Sequence, residues 1–269
     1  MRKLLPAVVV VAALLPTTPA GAITFGQLDG NRHPYVGALI ADWNPDVQGP
    51  ELLCSGTLIS PTVFMTASHC TAFLPDVGVD PDEVFVTFDP EPVTPNGAVL
   101  PTTTLLPGTY HTHPEFGFSG PGGFSDPHDI AAVVLDAPYT AATPARLPTL
   151  NLLDTISLKD QRFTAVGYGD VRDEKGGGLN ALRSDGKRRF VTQGFHTLTK
   201  SWLKLSMNPS TGSGGTCYGD SGGPHFLGDT NLVVSITVTG DTACRATDVT
   251  YRTDAASARA FLGQFVTLP

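Results

Sequence analysis

Short apolar runs, each bounded by Gly, Pro, Asn or Asp, recur along most of the chain. Runs of this length that are rich in Val, Ile, Leu, Phe and Thr are typical of β-strands, and the residues between them are typical of turns. The pattern predicts eight strands, at residues 35–41, 52–59, 63–66, 84–88, 130–135, 163–168, 200–207 and 232–238. The sequence therefore indicates an all-β protein.

Two segments depart from this pattern. Near the end of the chain, apolar residues recur at helical spacing and predict a helix over residues 255–266, capped by Asp254 or Ser257. Residues 136–150 are rich in Pro, Ala and Thr and lack a strand pattern. We interpret them as the connection between two halves of the chain.

The start of the chain has the layout of a secretory signal peptide. Arg2 and Lys3 precede an apolar run over residues 4–15, and small residues follow up to Ala22. The run is too short to span a bilayer, and no later stretch is long and apolar enough to be a membrane anchor. We expect a secreted protein that is cleaved near Ala22.

Composition and charge narrow the class of partner. The formal net charge is −8, and removal of Arg2 and Lys3 with the signal peptide would take it to −10. Nucleic-acid binding needs a basic face, so we expect no nucleic-acid partner. Hydrophobic residues make up 41% of the chain, which is enough to fill a core and argues against disorder.

Four cysteines in an exported chain predict two disulfides, and the sequence alone permits three pairings. Pairing within each half, Cys54 with Cys70 and Cys217 with Cys244, is the economical choice. Each disulfide would stabilise the folded state by about 3 kcal/mol, because it lowers the conformational entropy of the unfolded chain. No two of the four have the close spacing that usually marks a zinc site.

Three local patterns contain the residue types of nucleophilic catalysis: residues 66–70 (TASHC), 128–135 (HDIAAVVL) and 217–224 (CYGDSGGP). Each is common when taken singly. A serine hydroxyl is a weak nucleophile until a base takes its proton, and an imidazole serves best when a carboxylate orients it. The conjunction of the three patterns supplies all of these groups.

In the order His, Asp, Ser, these patterns resemble the motifs of the chymotrypsin/trypsin family of serine proteases, as in its secreted bacterial trypsin-like members. The cysteine after His69 and the cysteine four residues before Ser221 fit the same family. Residues 33–39 (HPYVGAL), 113–116 (HPEF) and 166–169 (VGYG) resemble further segments of it. The resemblance spans nearly the whole mature chain.

The resemblance implies two antiparallel six-stranded β-barrels, residues 23–140 and 141–269, with the active site between them and a C-terminal helix. It implies that Ser221 is the nucleophile, that His69 is general base and then general acid, and that Asp129 orients His69. The N–H groups of Gly219 and Ser221 would form the oxyanion hole. The protein would then be a secreted serine endopeptidase that forms an acyl-enzyme and needs no cofactor.

Activation in this family pairs a newly freed, usually β-branched N-terminus with the Asp that precedes the nucleophile. Here that Asp is Asp220, and cleavage after Ala22 would begin the mature chain at Ile23. Phe25 stands where the family usually has Gly. We expect Ile23 and Asp220 to form the activation pair.

The specificity pocket is less clearly encoded. The resemblance places Gly215 and Thr216 at its base, where trypsin-like members have an Asp in place of Gly215. Ser235 matches a serine that bonds the triad Asp in the family. Asp248 lies where the opposite wall should run and would attract Lys or Arg. Asp254 is an alternative acid, and a surface loop is the alternative position for Asp248.

Other interpretations fit parts of the sequence. The spacing around Ser221 also matches the nucleophile elbow of α/β-hydrolases, but His225 follows too closely to act as the base in that fold. Asp126 competes with Asp129, and we expect it to be a turn residue. We expect no metal site. We expect the remaining histidines, His111, His113 and His128, to lie in solvated loops. An acidic loop is expected to be solvated or, as the alternative, to bind calcium; its acidic residues are Asp76, Asp80, Asp82 and Glu83.

The predicted partners are protein or peptide substrates and protein inhibitors, with no membrane anchor and a monomeric state. The alternative function is a catalytically silent, protease-like binding or regulatory module. Such a module usually lacks one of the three catalytic residues, and this chain has all three.

Overall fold

The computed structural model describes residues 23–117, 125–172 and 178–269. The predicted signal peptide, residues 1–22, lies outside this part of the chain. Within the described residues, no helix has the length and apolar character needed to cross a membrane.

The chain begins with a two-residue strand, β1 (Gln27–Leu28), and then forms a first closed barrel. The barrel strands pair antiparallel in the order β2-β3-β4-β7-β6-β5, and β5 returns to β2. All side chains of β2 and β4 are buried, as expected for the apolar runs that predicted them. The strands are β2 (Val36–Ala41), β3 (Glu51–Ser60), β4 (Val63–Thr66), β5 (Val84–Thr87), β6 (Leu106–Thr112) and β7 (Ala131–Leu135).

The second half forms a second barrel. Its strands follow the order β8-β9-β10-β13-β12-β11, and the pairing of β11 with β8 closes it. Strand β1 adds to the free edge of β9, which ties the start of the chain to this barrel. The strands are β8 (Arg162–Gly167), β9 (Arg189–Leu198), β10 (Trp202–Ser206), β11 (Pro224–Leu227), β12 (Val233–Gly240) and β13 (Thr247–Arg252).

The two barrels are joined by a connection that contains a short helix, α1 (Leu152–Thr155), and the chain ends after α2 (Ala256–Leu262). Helix α2 packs Phe261 and Leu262 into a core cluster that also holds residues of both barrels. The fold therefore has the architecture that was predicted, two six-stranded antiparallel barrels and a C-terminal helix.

All eight predicted strands are present, with ends that coincide or are shifted by one or two residues. The prediction missed β1, β6, β9, β11 and β13. Strand β13 shows why, because it buries Asp248, Thr250 and Arg252, and such polar residues hide the alternation that marks a strand. The predicted helix is too long, and both predicted caps are wrong. The N-cap is Ala255 with no side-chain bond, while Asp254 instead accepts the N–H of Leu153.

Both expected disulfides are present. Cys54 on β3 is bonded to Cys70 in the turn after β4. Cys217 is bonded to Cys244, which lies in the loop between β12 and β13. Each bridge thus anchors a segment that carries one of the sequence motifs to the wall of its own barrel.

Candidate active site

His69 lies in a short 3₁₀ turn, Ser68–Cys70, that directly follows β4. The turn is held on both sides. The disulfide of Cys70 fixes one end to β3, and the Ser68 hydroxyl donates to the carbonyl of Ile130 at 2.7 Å. Since Ile130 follows Asp129, the turn and the start of β7 form one rigid unit.

Asp129 and His69 form two hydrogen bonds. Asp129 Oδ2 lies 2.8 Å from His69 Nδ1, and Oδ1 accepts the backbone N–H of His69, also at 2.8 Å. The Asp129 side chain is 4% exposed and the His69 side chain 33%. An ionised carboxylate only accepts, so Nδ1 carries the hydrogen and Nε2 keeps its lone pair. His69 thus offers Nε2 as a base at the surface, while the carboxylate of Asp129 is buried behind it.

Asp126 has other partners. Its carboxylate accepts from the Tyr251 hydroxyl at 2.7 Å and from the Ser257 hydroxyl. These bonds join the segment before β7 to β13 and to helix α2. Asp126 is thus a structural link, and Asp129 is the carboxylate that contacts His69.

Ser221 lies in a tight turn whose carbonyl groups are held by neighbours. The carbonyls of Gly219 and Ser221 accept from the hydroxyl and the N–H of Ser55, both at 2.9 Å. Gly219 has a φ of +93°, a conformation that favours glycine. Neither the Gly219 nor the Ser221 N–H donates to another described residue. Two backbone donors next to the candidate nucleophile are therefore free for an anion.

Gly222 brings the Ser221 turn against the His69 segment. A β-carbon on Gly222 would lie 2.1 Å from the Thr66 hydroxyl oxygen and 2.7 Å from the N of Ala67. Its φ is +75°, so both the conformation and the space require glycine. The backbone next to Ser221 thus packs directly on the strand end that leads into His69.

Comparisons with known proteins agree with this arrangement. The sequence profile of the family described as trypsin matches residues 28–261. The chain belongs to the trypsin family. It is therefore assigned as a serine-type endopeptidase, a hydrolase whose substrates are proteins or peptides.

Individual relatives of the trypsin family are distant. The chain is similar to a trypsin of Saccharopolyspora erythraea, with 28% identity over 220 residues that cover 79% of this chain and 84% of that protein. A trypsin-like protease of Streptomyces glaucescens is 29% identical over 181 residues, which cover 65% of this chain and only 59% of that protein. The solved structure of HL collagenase has the same fold, with a TM-score of 0.60 at 18% identity over 89% of this chain and 95% of that one.

Asp220, next to the candidate nucleophile, is completely buried. Its carboxylate accepts the N–H groups of Gly169 and Cys217, both at 2.8 Å. Burial raises the pKa of Asp220 to about 7, although these two hydrogen bonds favour the ionised form. The carboxyl group is costly to ionise in this environment.

Ile23 is also completely buried and packs against Ala165 and Val191. The next residue, Thr24, pairs with Gly215 through backbone bonds, so this segment runs beside the chain that leads to the nucleophile. Phe25 has a φ of +66°, which is unfavourable for a side chain of this size. The position that differs from the trypsin family's usual Gly thus has left-handed backbone.

A cavity of about 240 Å³ opens beside Ser221. Its lining is neutral and hydroxyl-rich, apart from Asp241 at one side. Asp241 accepts several backbone N–H groups, from 245 to 247, which lower its pKa although partial burial raises it. The lining residues are Thr216, Cys217, Tyr218, Ser221, Thr237, Val238, Thr239, Gly240, Asp241, Thr242 and Cys244.

Of the four predicted pocket residues, Thr216 lines the cavity, and the other three are not among the described lining residues. Gly215 faces Met207, whose sulfur would lie 2.0 Å from a β-carbon at that position. Ser235 is buried and bonds the Thr250 hydroxyl at 2.8 Å instead of the Asp beside His69. Ser235 therefore has no described bond to Asp129 and does not line the cavity.

Asp248 does not lie in a surface loop, because it is a completely buried residue of β13. It lies directly behind the cavity wall, since the Thr216 hydroxyl donates to its Oδ2 at 2.6 Å. Asp254 is equally buried but pairs with Arg252, at 2.8 Å from Nε. Asp248 is therefore the predicted acid that is connected to the cavity.

The sequence prediction missed the wall formed by residues 237–241. Pairing of Pro224 with Ile236 fixes the register, and the N–H of Gly222 donates to the carbonyl of Thr237 at 2.8 Å. Thr237, rather than Ser235, thus lies opposite the nucleophile turn. The apolar-polar alternation after Ile236 was the available signal, but the resemblance directed the prediction to Ser235.

Of the three histidines expected in solvated loops, His111 is exposed but lies on strand β6, His128 is half-buried and His113 is buried. His113 is 6% exposed, and its ring stacks on that of His128 with centroids 4.8 Å apart. His111 contacts the ring of Phe265. Among the described residues, one group of potential metal ligands comprises Cys54, His69 and Cys70, but both sulfur atoms are in a disulfide and cannot act as thiolates. The acidic loop is exposed, as expected.

Proposed function

We propose that Ser221, His69 and Asp129 form the catalytic triad of this endopeptidase. The observation that carries the proposal is the pair of 2.8 Å hydrogen bonds between Asp129 and His69, in a turn against which Gly222 packs the nucleophile segment. The rate effects given below are those typical of the Ser-His-Asp triad in serine proteases generally.

In the proposed mechanism, His69 Nε2 takes the proton of the Ser221 hydroxyl as the oxygen attacks the scissile carbonyl. The carbonyl becomes a tetrahedral oxyanion, which the N–H groups of Gly219 and Ser221 stabilise. His69 then gives the proton to the leaving amine, and an acyl-enzyme remains on Ser221. Water activated by His69 hydrolyses the acyl-enzyme in the second half of the reaction.

Asp129 has two tasks in this mechanism. It holds His69 in the tautomer with hydrogen on Nδ1, and its charge stabilises the imidazolium that forms in the transition state. Its near-complete burial strengthens the interaction, because solvent does not screen it. Loss of the charge in Asp129→Asn should lower turnover by about 10⁴.

We further propose that export generates the active enzyme. Signal peptidase cleavage after Ala22 would free the amine of Ile23, and the resulting ammonium would pair with Asp220. Asp220 is buried with two backbone N–H partners and a raised pKa, an environment that a cation would stabilise. N-terminal sequencing of the secreted protein tests this, and a mature start other than Ile23 would contradict it.

For specificity, we propose that the cavity accepts a basic side chain and that Asp248 supplies the negative charge. Asp248 Oδ1 is buried and has no partner among the described residues. Its Oδ2 contacts Thr216, which lines the cavity. A buried carboxylate without a full cationic partner is costly, and a Lys or Arg of the substrate would relieve that cost.

The catalytic proposal is tested by hydrolysis of a protein such as casein. The matured protein should cleave it, Ser221→Ala should abolish cleavage, and Asp129→Asn should leave about 10⁻⁴ of the wild-type rate. Folded, correctly processed protein that binds casein without cleaving it would instead support a silent binding module.

A further inference from the structure

Four buried polar side chains form a cluster behind the cavity wall: Gln193, Thr216, His225 and Asp248. Gln193, His225 and Asp248 are completely buried, and Thr216 is 6% exposed. They come from β9, the nucleophile segment, β11 and β13, so the cluster closes the end of the barrel next to the cavity. We call this group the Asp248 cluster.

All three neighbours of Asp248 bond the same oxygen. The hydroxyl of Thr216 lies 2.6 Å from Oδ2, Gln193 Nε2 lies 2.8 Å from it, and His225 Nε2 lies 3.0 Å from it. Asp248 Oδ1 and His225 Nδ1 are buried and have no hydrogen-bond partner among the described residues. One carboxylate oxygen thus accepts three hydrogen bonds, and the other has no partner among the described residues.

The hydrogen bonds define the charge of the cluster. A carboxylate only accepts, so the hydrogen of His225 lies on Nε2 and points at Asp248. A second hydrogen on Nδ1 would be buried without an acceptor, which is unfavourable. His225 is therefore neutral in this arrangement, and the Asp248 cluster keeps one full negative charge.

We propose that His225 is a positioning residue for substrate selection: as a neutral imidazole it holds Asp248 Oδ2, so that the charge of Asp248 is available to a basic substrate side chain. The inference rests on the proposed role of Asp248 in specificity.

Few other titratable groups face this pair. On the strands next to β11, His225 lies opposite Ala165 of β8 and Ser235 of β12, both uncharged. Gln193 of β9 and Thr216 are neutral hydrogen-bond donors to Asp248. Asp220 also interacts electrostatically with Asp248.

The test uses two peptide anilides that differ only in Arg or Leu before the scissile bond. Selectivity is the ratio of their kcat/KM values, with active enzyme counted by fluorophosphonate titration. His225→Leu should lower this ratio about tenfold, through KM of the Arg substrate, because a hydrogen bond to a charged group is lost. His225→Gln keeps a donor and should stay within about threefold of wild type.

The Leu substrate separates a positioning role from a purely structural one. A structural defect should lower kcat for both substrates, whereas the loss of a positioning residue should raise KM for the Arg substrate and leave kcat/KM for the Leu substrate within about threefold of wild type. Rescue of the ratio by His225→Gln, which restores a donor, is the second readout. His196→Gln, a substitution of an exposed histidine on β9, is the matched control and should leave the ratio unchanged.

Asp248→Asn distinguishes the two proposals. If it leaves the Arg preference intact, the proposed role of Asp248 is wrong. If it abolishes the preference while His225→Leu keeps the wild-type ratio, only the role of His225 is overturned. If His225→Leu does not fold, the same ratio is measured in His225→Met, which also lacks a hydrogen-bond donor.

Discussion

The sulfur of Met207 fills the space that a side chain at residue 215 would need, because a β-carbon on Gly215 would lie only 2.0 Å from it. Met207 itself is 1% exposed and cannot move into solvent without opening the core. The usual acidic residue of trypsin-like pockets therefore has no room at this position. An acid used for specificity must come from elsewhere, and Asp248 lies on the opposite side of Thr216.

Gly215→Ala should lower the free energy of unfolding by about 1–3 kcal/mol, as overpacked core substitutions do. Met207→Ala alone should cost about 2–5 kcal/mol through the cavity that it leaves. The double variant should lose less than the sum, because the truncated side chain makes room for the new methyl group. Urea denaturation measures all three, and strictly additive losses would mean that the two residues do not compete for space.

At position 25, a glycine should give a more stable protein than an alanine, which is the reverse of the usual order. The φ of Phe25, +66°, lies in the region that glycine adopts without penalty, whereas other residues pay about 1–2 kcal/mol. Phe25→Gly and Phe25→Ala both remove the ring, so their difference reports the backbone alone. The Gly variant should be the more stable one by about 1 kcal/mol in thermal unfolding. A more stable Ala variant would show that the segment is not left-handed in solution.

Gly222→Ala should lower kcat/KM by about 10² or more, because the methyl group would push the Ser221 turn away from Thr66 and Ala67. Gly228→Ala is the matched control. Gly228 has a similar φ of +59° but nothing within 4 Å of an added β-carbon. It should lose some stability and keep its activity. Equal losses of activity in the two variants would argue that backbone strain, and not the contact with the His69 segment, is responsible.

Asp220 should make the uncleaved chain less stable as pH rises. Its pKa of about 7 lies above the ordinary value of 3.8, so between these values the folded state holds a proton that the unfolded state has released. The contribution of Asp220 to the free energy of unfolding is fully present below pH 3.8. It is lost as pH rises through about 7, and the loss is at most about 4 kcal/mol.

The comparison for this prediction is Asp220→Asn. Both chains should carry Ser221→Ala to prevent self-cleavage and should retain residues 1–22, and urea denaturation should be measured at several pH values. In the Asn variant, the free energy of unfolding should not show the decrease that Asp220 causes between about pH 4 and 7. If the two chains have the same slope, Asp220 does not titrate in this range.

The strands could be predicted from the sequence because they depend on local patterns, and the two-barrel fold followed from the resemblance to the trypsin family. Apolar runs marked strands such as β2 and β4, whose side chains are all buried. Strand β13 was missed because Asp248 and Arg252 are buried through specific partners on other segments, and most of those partners are not neighbours in sequence. Local pattern contains no information on such distant pairings.

The pocket was harder to predict for a related reason. The lining residues are set by strand register, which the sequence does not give, so Thr237 was missed and Ser235 was placed in the pocket. The blocked position at Gly215 depends on Met207, which is eight residues away in sequence and becomes adjacent only in the folded protein. Sequence motifs thus predict the reacting groups but not the surface that lines the cavity.

The most direct test of the triad is the rate at which a fluorophosphonate labels Ser221 in the matured protein, with the site identified by mass spectrometry. An activated serine should be labelled stoichiometrically at Ser221, and the label should disappear in Ser221→Ala and slow by orders of magnitude in His69→Ala. Folded protein that starts at Ile23 and takes no label, or is labelled equally fast without His69, would contradict the assignment of Ser221 as a nucleophile activated by His69.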